Sequence, residues 1–158
     1  MSVYQSDYFD AEPKGIVGAL ADETEHLAVS ATVWVFEGIR FGAPAAHGPV
    51  EDTAIPYVVG GRFLGLAIET GAIPAQHIST PALIDGFPRD FTGSFMTKGV
   101  MFVESGSPIA IKDPAYYNTV TRQYLSAAGA NTVGPIPFAQ FRTAATAAGQ
   151  TVELVLRQ

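Results

Sequence analysis

The chain contains no cysteine and, for its length, few charged residues. Without cysteine it can form neither a disulfide nor a thiolate metal site, so its stability must come from packing or from assembly. Charged residues make up 15% of the 158 residues, against about 25% in an average soluble domain. A surface with so few charges tends to expose apolar patches, which usually mark interaction sites. The composition therefore indicates permanent assembly, with a weakly charged Gly/Thr/Ala-rich surface as the alternative.

The sequence also lacks the features of membrane-bound and nucleic-acid-binding proteins. It has no run of 18 apolar residues, and its start, MSVYQSDYFDAEPKG, has neither the basic nor the apolar region of a secretory signal. The formal net charge of −6 disfavours a basic surface that binds the phosphate backbone of a nucleic acid. We therefore expect a soluble protein with no nucleic-acid partner and no membrane partner.

Gly and Pro, at 16 and 11 residues, interrupt the chain at short intervals and leave little room for long helices. Residues 1–24 show neither a strand nor a helix period, and we interpret them as an extended N-terminal arm. The arm carries the aromatic residues Tyr4, Tyr8 and Phe9. It is either a frayed terminus or a segment whose aromatic side chains anchor it on a neighbouring subunit. Residues 25–158 are predicted to form a single β domain.

Short strands with turn signals about every 8 to 12 residues predict the architecture of this domain. SATVWVFEGIRF, from Ser30, alternates β-branched and aromatic residues, which favours a central strand with Trp34 in the core. Residues 41–56 are interpreted as a loop, and the Gly60-Gly61 turn as the tip of a hairpin. Gly65 indicates a bulge or a close backbone approach.

The second half of the chain carries the best strand patterns. Strands are predicted near 91–97, 99–104, 108–112 and 114–118, after a long connection over 70–88, and RQYL is expected to pair back on the last of them. The final TVELVLR places Val152, Leu154 and Leu156 on one face. The whole pattern predicts an all-β fold: an antiparallel β-sandwich or jelly-roll-like barrel of about 8 to 10 short strands, with the extended arm.

The sequence offers no recognisable catalytic, cofactor-binding or metal site. No nucleophile elbow, P-loop or Rossmann fingerprint occurs, and the histidines His26, His47 and His77 lack ligand spacing. The acidic stretches 22–25 and 51–52 lack the calcium-loop pattern. Four carboxylates lie on or beside predicted strands without any pair being singled out: Glu37, Glu69, Glu104 and Asp113. We therefore expect a protein that is not an enzyme and has no cofactor.

Taken in their order along the chain, the segments from about Pro13 to Arg157 resemble the structural cement proteins of tailed bacteriophages, which are small proteins that decorate the capsid. The resemblance rests on an arm with Pro13, Gly15 and Gly18 followed by ALAD, on RFLGLAIE, on FMTKGVMFVESGSPIAIKDPAYYN with its D-x-x-Y strand, on PIPFAQF and on the terminal TVELVLR. Two connections depart from the family pattern, and the first is the loop over 70–88, which is longer than the resemblance leads us to expect. Where the family usually has a Gly-containing turn after the Tyr strand, this chain has NTVTRQYL after Tyr117.

The resemblance implies a structural protein of the virion, made in the host cytoplasm, that binds the outer surface of the mature capsid. Its partners would be the major capsid protein and other copies of itself, as a dimer or trimer. By bridging neighbouring capsid subunits it would stabilise the shell against the pressure of packaged DNA. Tyr4, Tyr8 and Phe9 would be subunit or capsid contacts, with residues 41–56 and 71–88 as further candidates.

A carbohydrate-binding module, or another structural protein of the phage tail or surface, is the alternative function. Sugar-binding modules use exposed aromatic rings as a binding face. The candidates for such a face are Trp34, Tyr57, Tyr116, Tyr117 and Tyr124.

Overall fold

The computed structural model describes residues 16–70 and 85–157, with the backbone alone for 22–25. All regular structure in these ranges is β-strand. The strands are β1 (Leu20–Val33), β2 (Ile39–Arg40), β3 (Pro44–His47), β4 (Thr53–Pro56), β5 (Phe63–Ala67), β6 (Gly86–Phe87), β7 (Thr92–Glu104), β8 (Tyr116–Asn118), β9 (Tyr124–Leu125), β10 (Thr132–Val133), β11 (Ala139–Phe141) and β12 (Thr151–Arg157).

Five of the strands close into a barrel. Their order is β1-β4-β3-β5-β7, and the ring closes because β1 also pairs with β7. Every pairing in the ring is antiparallel except that of β1 with β4, where Thr32 lies opposite Thr53. Closure leaves the ring without a free sheet edge where the pairings are complete. The predicted all-β, barrel-like architecture is confirmed.

Strand β7 is the central strand of the fold. One edge of β7 pairs with β1 from Thr92 to Met101, and the other edge pairs first with β5, at Phe95 and Met96, and then with β12, from Lys98 to Glu104. The sequence predicted two strands here, separated near Lys98. Gly99 instead continues the ladder at a φ of 141°, opposite Leu156. Glycine adopts this φ without a steric cost, so one strand can change partners without a break.

The core lies inside the barrel and beneath β12. Val152, Leu154 and Leu156 are all buried, which confirms their prediction as one face of a half-buried strand. Gly65 approaches the backbone of β7 closely, since a Cβ at this position would lie 2.5 Å from the carbonyl oxygen of Met96. A register shift in the β3–β5 ladder lies beside it. Both predictions for Gly65 are therefore confirmed.

Two predictions for the first half of the barrel are wrong. Residues 41–56 are not a loop but contain β3 and β4, which form an antiparallel hairpin. The turn at Gly60-Gly61 is real, since Gly61 donates a hydrogen bond to the carbonyl of Val58, but it does not close a hairpin. β3 lies between β4 and β5, so this turn belongs to a connection that crosses β3. The core residues of β3 are Pro and Ala, which carry little of the usual strand signal.

Strand β1 is shifted toward the N-terminus relative to the prediction. It begins at Leu20, inside the range 1–24 predicted as the arm, and ends at Val33. Trp34 and Phe36 follow in a turn, where they are 45% and 53% exposed. The prediction that Trp34 belongs to the core is therefore wrong. The remaining predicted arm residues, 1–15, lie outside the described part of the chain.

The small sheet β10-β8-β9 packs beside the barrel. RQYL pairs back on β8 as predicted, with Tyr124 opposite Tyr117 and their ring centroids 5.1 Å apart. Tyr124 is 1% exposed, and its hydroxyl donates a hydrogen bond of 2.5 Å to the carbonyl of Gly42. This bond joins the small sheet to the barrel. Residues 108–112, predicted as a strand, contribute only an isolated bridge between Ile109 and Ala145.

Candidate interaction surface

A groove of about 330 Å³ lies between the barrel and the small sheet. One wall comes from the turn after β1 and from β2, the floor from the start of β3 and the end of β4, and the other wall from β8 and the turn after it. The lining residues are Glu37, Gly38, Ile39, Arg40, Ala43, Pro44, Pro56, Tyr57, Tyr117, Thr119 and Arg122. We call this the Arg40–Arg122 groove.

Positive charge is concentrated in this groove although the chain as a whole is acidic. Burial lowers the pKa of the Arg40 guanidinium, and the charge of Arg122 lowers it further, while Asp85 acts in the opposite direction. Burial raises the pKa of Tyr117 to about 12 against the opposing influence of both guanidinium groups, so its hydroxyl stays protonated at neutral pH. Glu37 is the one carboxylate in the lining. The groove therefore offers hydrogen-bond donors and positive charge between apolar walls.

Arg122 is held in place by the turn that joins β8 and β9. The side-chain oxygen of Asn118 accepts hydrogen bonds from the backbone of Val120 and Thr121, and the Arg122 N–H donates to the Asn118 carbonyl. Arg122 has a φ of 63°, the left-handed conformation in which glycine is favoured. This is one of the two connections in which the sequence departs from the proteins it resembles, which usually have a Gly-containing turn here. Arginine therefore takes a glycine-like position and adds charge to the groove rim.

Exposed apolar side chains continue from the groove along the chain on both sides. Trp34 and Phe36 precede Glu37, and the Trp34 N–H donates to the carbonyl of Ala54, which fixes this turn beside β4. Val58 and Val59 follow Tyr57 and are also exposed. Large apolar side chains held on a rigid frame in this way are typical of protein interaction surfaces.

The edge of β1 forms a second exposed region. Between Leu27 and Ala31 the strand pairs with β7, whereas its pairing with β4 begins only at Thr32. Leu27 and Val29 are exposed here, and Val29 lines a hollow of about 300 Å³. An incompletely paired strand can accept an added strand.

The carboxylates named in the sequence are not brought together as a catalytic pair. Glu104 accepts a hydrogen bond from the side chain of Gln123, and Asp113 accepts one from the backbone of Ala110, so both have structural partners. Glu37 lies in the groove, and Glu69 follows β5 on another part of the barrel. Among the described residues no three His, Asp or Glu side chains could hold a metal ion. Nor does this part of the chain contain a helix long and apolar enough to cross a bilayer.

The residues predicted from the sequence as functional have different outcomes. Tyr4, Tyr8 and Phe9, and most of the segment 71–88, lie outside the described residues. Of the aromatic residues considered for sugar binding, Tyr57, Tyr117 and Tyr124 are buried, so they do not form an exposed aromatic face. The sequence reasoning missed Arg40 and Arg122. Nothing in the sequence pairs them, since they are 82 positions apart and meet only through the packing of the small sheet on the barrel.

Three comparisons with known proteins complete the description. A model of the family "Structural cement protein (E217 gp24/Pam3 gp6)" matches residues 4–157. Among solved structures, a chain of the capsid of Myoviridae phage XM1 has the same fold, with a TM-score of 0.64 and 12% sequence identity over 92% of this chain and 91% of that chain. A comparison with curated proteins finds no significant match.

Proposed function

The chain belongs to the structural cement protein family, and on that premise we propose that it binds the outer surface of a mature phage capsid and bridges neighbouring major capsid subunits. Membership gives it a structural role in a bacteriophage capsid and a place in the virion, in association with capsid proteins. Such a role requires binding surface and no catalytic residue. The bridging contacts and the outer position are the proposed part.

The observation that carries the proposal is the family match over nearly the whole chain. The surface supports it, because Trp34, Phe36, Val58 and Val59 are exposed to solvent in chain segments that adjoin lining residues of the Arg40–Arg122 groove. Exposed apolar side chains are costly for an isolated protein and are useful in an adhesive one. Tryptophan in particular contributes strongly to interfaces, because it removes a large apolar area from water.

Such a protein acts by binding to the capsid only when the capsid subunits have their mature arrangement. A protein that binds only the mature arrangement of capsid subunits stabilises that arrangement by its binding free energy. Repetition over a symmetric shell makes many moderate contacts effective together. The low charged fraction of 15% limits the cost of desolvating the contact surface. We further propose that the protein assembles with copies of itself and that Tyr4, Tyr8 and Phe9 in the arm contact a neighbouring subunit.

The experiment mixes the purified protein with mature capsids that lack it and measures co-sedimentation. We expect saturable binding, and we expect the double variant W34S/F36S to bind at least about tenfold more weakly because it loses two exposed aromatic contacts. Ile111→Ser is the matched control, because Ile111 is 59% exposed and lies away from the groove lining. Wild-type protein that fails to bind these capsids at any concentration would overturn the proposal.

A further inference from the structure

Residues 4–12, YQSDYFDAE, combine three aromatic residues with three acidic ones and contain no basic residue. Their charge is therefore −3, from Asp7, Asp10 and Glu12. The segment 71–84, GAIPAQHISTPALI, by contrast contains no acidic residue. Of the two long stretches outside the described residues, the arm alone has the charge that a positive groove would select.

The Arg40–Arg122 groove has the complementary chemistry. Its lining includes the positive charges of Arg40 and Arg122 and the Tyr117 side chain, and its floor includes the apolar surfaces of Pro44 and Pro56. Among the described residues Arg122 has no ion pair. A carboxylate placed beside Arg122 would gain charge-assisted hydrogen bonds from its guanidinium, and aromatic rings next to that carboxylate would cover the proline surfaces.

The arm joins the barrel next to this groove. Gly18 donates a hydrogen bond to the carbonyl of Phe102 and lies against Phe41, where a Cβ on Gly18 would be 2.7 Å from the Cβ of Phe41. Phe41 directly follows Arg40 in the chain. Residues 4–12 lie 4 to 12 positions before Ile16, and a chain of that length can span at most about 13 to 40 Å from this point. A segment of that length is long enough to reach a second copy that lies against this one.

We propose that the Arg40–Arg122 groove of one copy binds the acidic aromatic segment 4–12 of a neighbouring copy. The proposal rests on the self-assembly that forms part of the proposed function, and it names the two surfaces that meet. Because each arm starts beside its own groove, two copies related by a twofold axis can exchange arms reciprocally, with each groove occupied by the partner's arm. The binding site is then complete only in the assembly.

The test uses full-length protein and reversal of charge on each side. R122E changes the groove, and the triple variant D7K/D10K/E12K changes the arm. We expect each variant alone to raise the dissociation constant for self-association at least about tenfold, measured by sedimentation velocity at moderate salt. Arg62→Glu is the matched control, since Arg62 is exposed and lies outside the groove lining, and it should associate like the wild type. Circular dichroism confirms that each variant is folded.

An equimolar mixture of the two variants identifies the copy that provides the arm. In the mixture a reversed groove meets a reversed arm on the other protein, so association should return to within about threefold of wild type. A mixture that stays dissociated overturns the inference. A wild-type protein that is monomeric at all concentrations also overturns it, because the arm could then bind only the groove of its own copy. If R122E associates normally and still binds capsids, the groove inference fails while the proposed function stands.

Discussion

The hydrogen bond from Tyr124 to Gly42 can be tested by removing a single oxygen atom. Tyr124→Phe retains the ring, its packing on Tyr117 and the shape of the core, because the side chain is 1% exposed and the hydroxyl points at the carbonyl of Gly42. The substitution leaves that carbonyl without its donor in a place from which water is excluded. Such a loss costs about 1 to 3 kcal/mol of the free energy of unfolding.

For a chain of this size, 1 kcal/mol corresponds to a change in melting temperature of about 2 to 4 °C. A central cost of about 2 kcal/mol therefore predicts that Tyr124→Phe melts about 4 to 8 °C below the wild type. Differential scanning calorimetry and urea denaturation at pH 7 measure the change. Tyr116→Phe is the matched control, since its side chain is only partly buried and its hydroxyl has no hydrogen bond to the described residues.

The reasoning is refuted if Tyr124→Phe unfolds within about 0.5 kcal/mol of the wild type, which is the range of ordinary surface substitutions. It is also refuted if Tyr116→Phe destabilises the protein as much. Either result would mean that the bond between the small sheet and the barrel does not contribute to stability. The position of Arg122 relative to Arg40 would then depend on the remaining contacts between the two sheets.

Three further predictions concern the barrel and its pH dependence. Leu154→Ala, at a fully buried site of β12, should cost about 2 to 5 kcal/mol in urea denaturation. Gly65→Ala should lower the free energy of unfolding by about 1 to 3 kcal/mol, because the new Cβ meets a backbone oxygen that cannot move aside. Gly129→Ala is the control: this glycine has open space around it, so its free energy of unfolding should stay within about 0.5 kcal/mol of the wild type. The third concerns Tyr117, whose pKa is raised from 10.0 to about 12 in the folded state. The contribution of its protonated hydroxyl to the free energy of unfolding is therefore complete below pH 10 and is lost as the pH rises to about 12. Tyr117 should account for about 3 kcal/mol of the fall in the free energy of unfolding over this window, so the fall should be smaller in Tyr117→Phe; a pH-independent wild type would contradict the assignment.

The parts of the fold that the sequence predicted are those with a strong local pattern. In β12 the alternation of Val152, Leu154 and Leu156 with polar residues is enough to assign both the strand and its buried face. Gly65 is similar, because a glycine inside an apolar run usually marks a bulge or a place where two backbones approach closely. Sequence reasoning also identified the pairing of RQYL with the Tyr strand.

The parts that the sequence did not predict depend on distant neighbours. β3 consists of Pro, Ala and His and becomes a central strand of the barrel only because β4 and β5 pair with its two edges. Trp34 has a core-like sequence environment, yet β1 ends one residue before it and leaves it exposed. The Arg40–Arg122 groove arises from the packing of one sheet against another. Local patterns carry no information about such a contact.

The central claim is that this protein attaches to the outside of a mature phage capsid and joins neighbouring subunits there. Cryo-electron microscopy of mature capsids lacking the protein, before and after it is added, tests this most directly. The account predicts ordered density for the barrel on the outer surface, in contact with at least two capsid subunits at each position. Capsids that remain bare at saturating protein, or density confined to the inside of the shell, would contradict it.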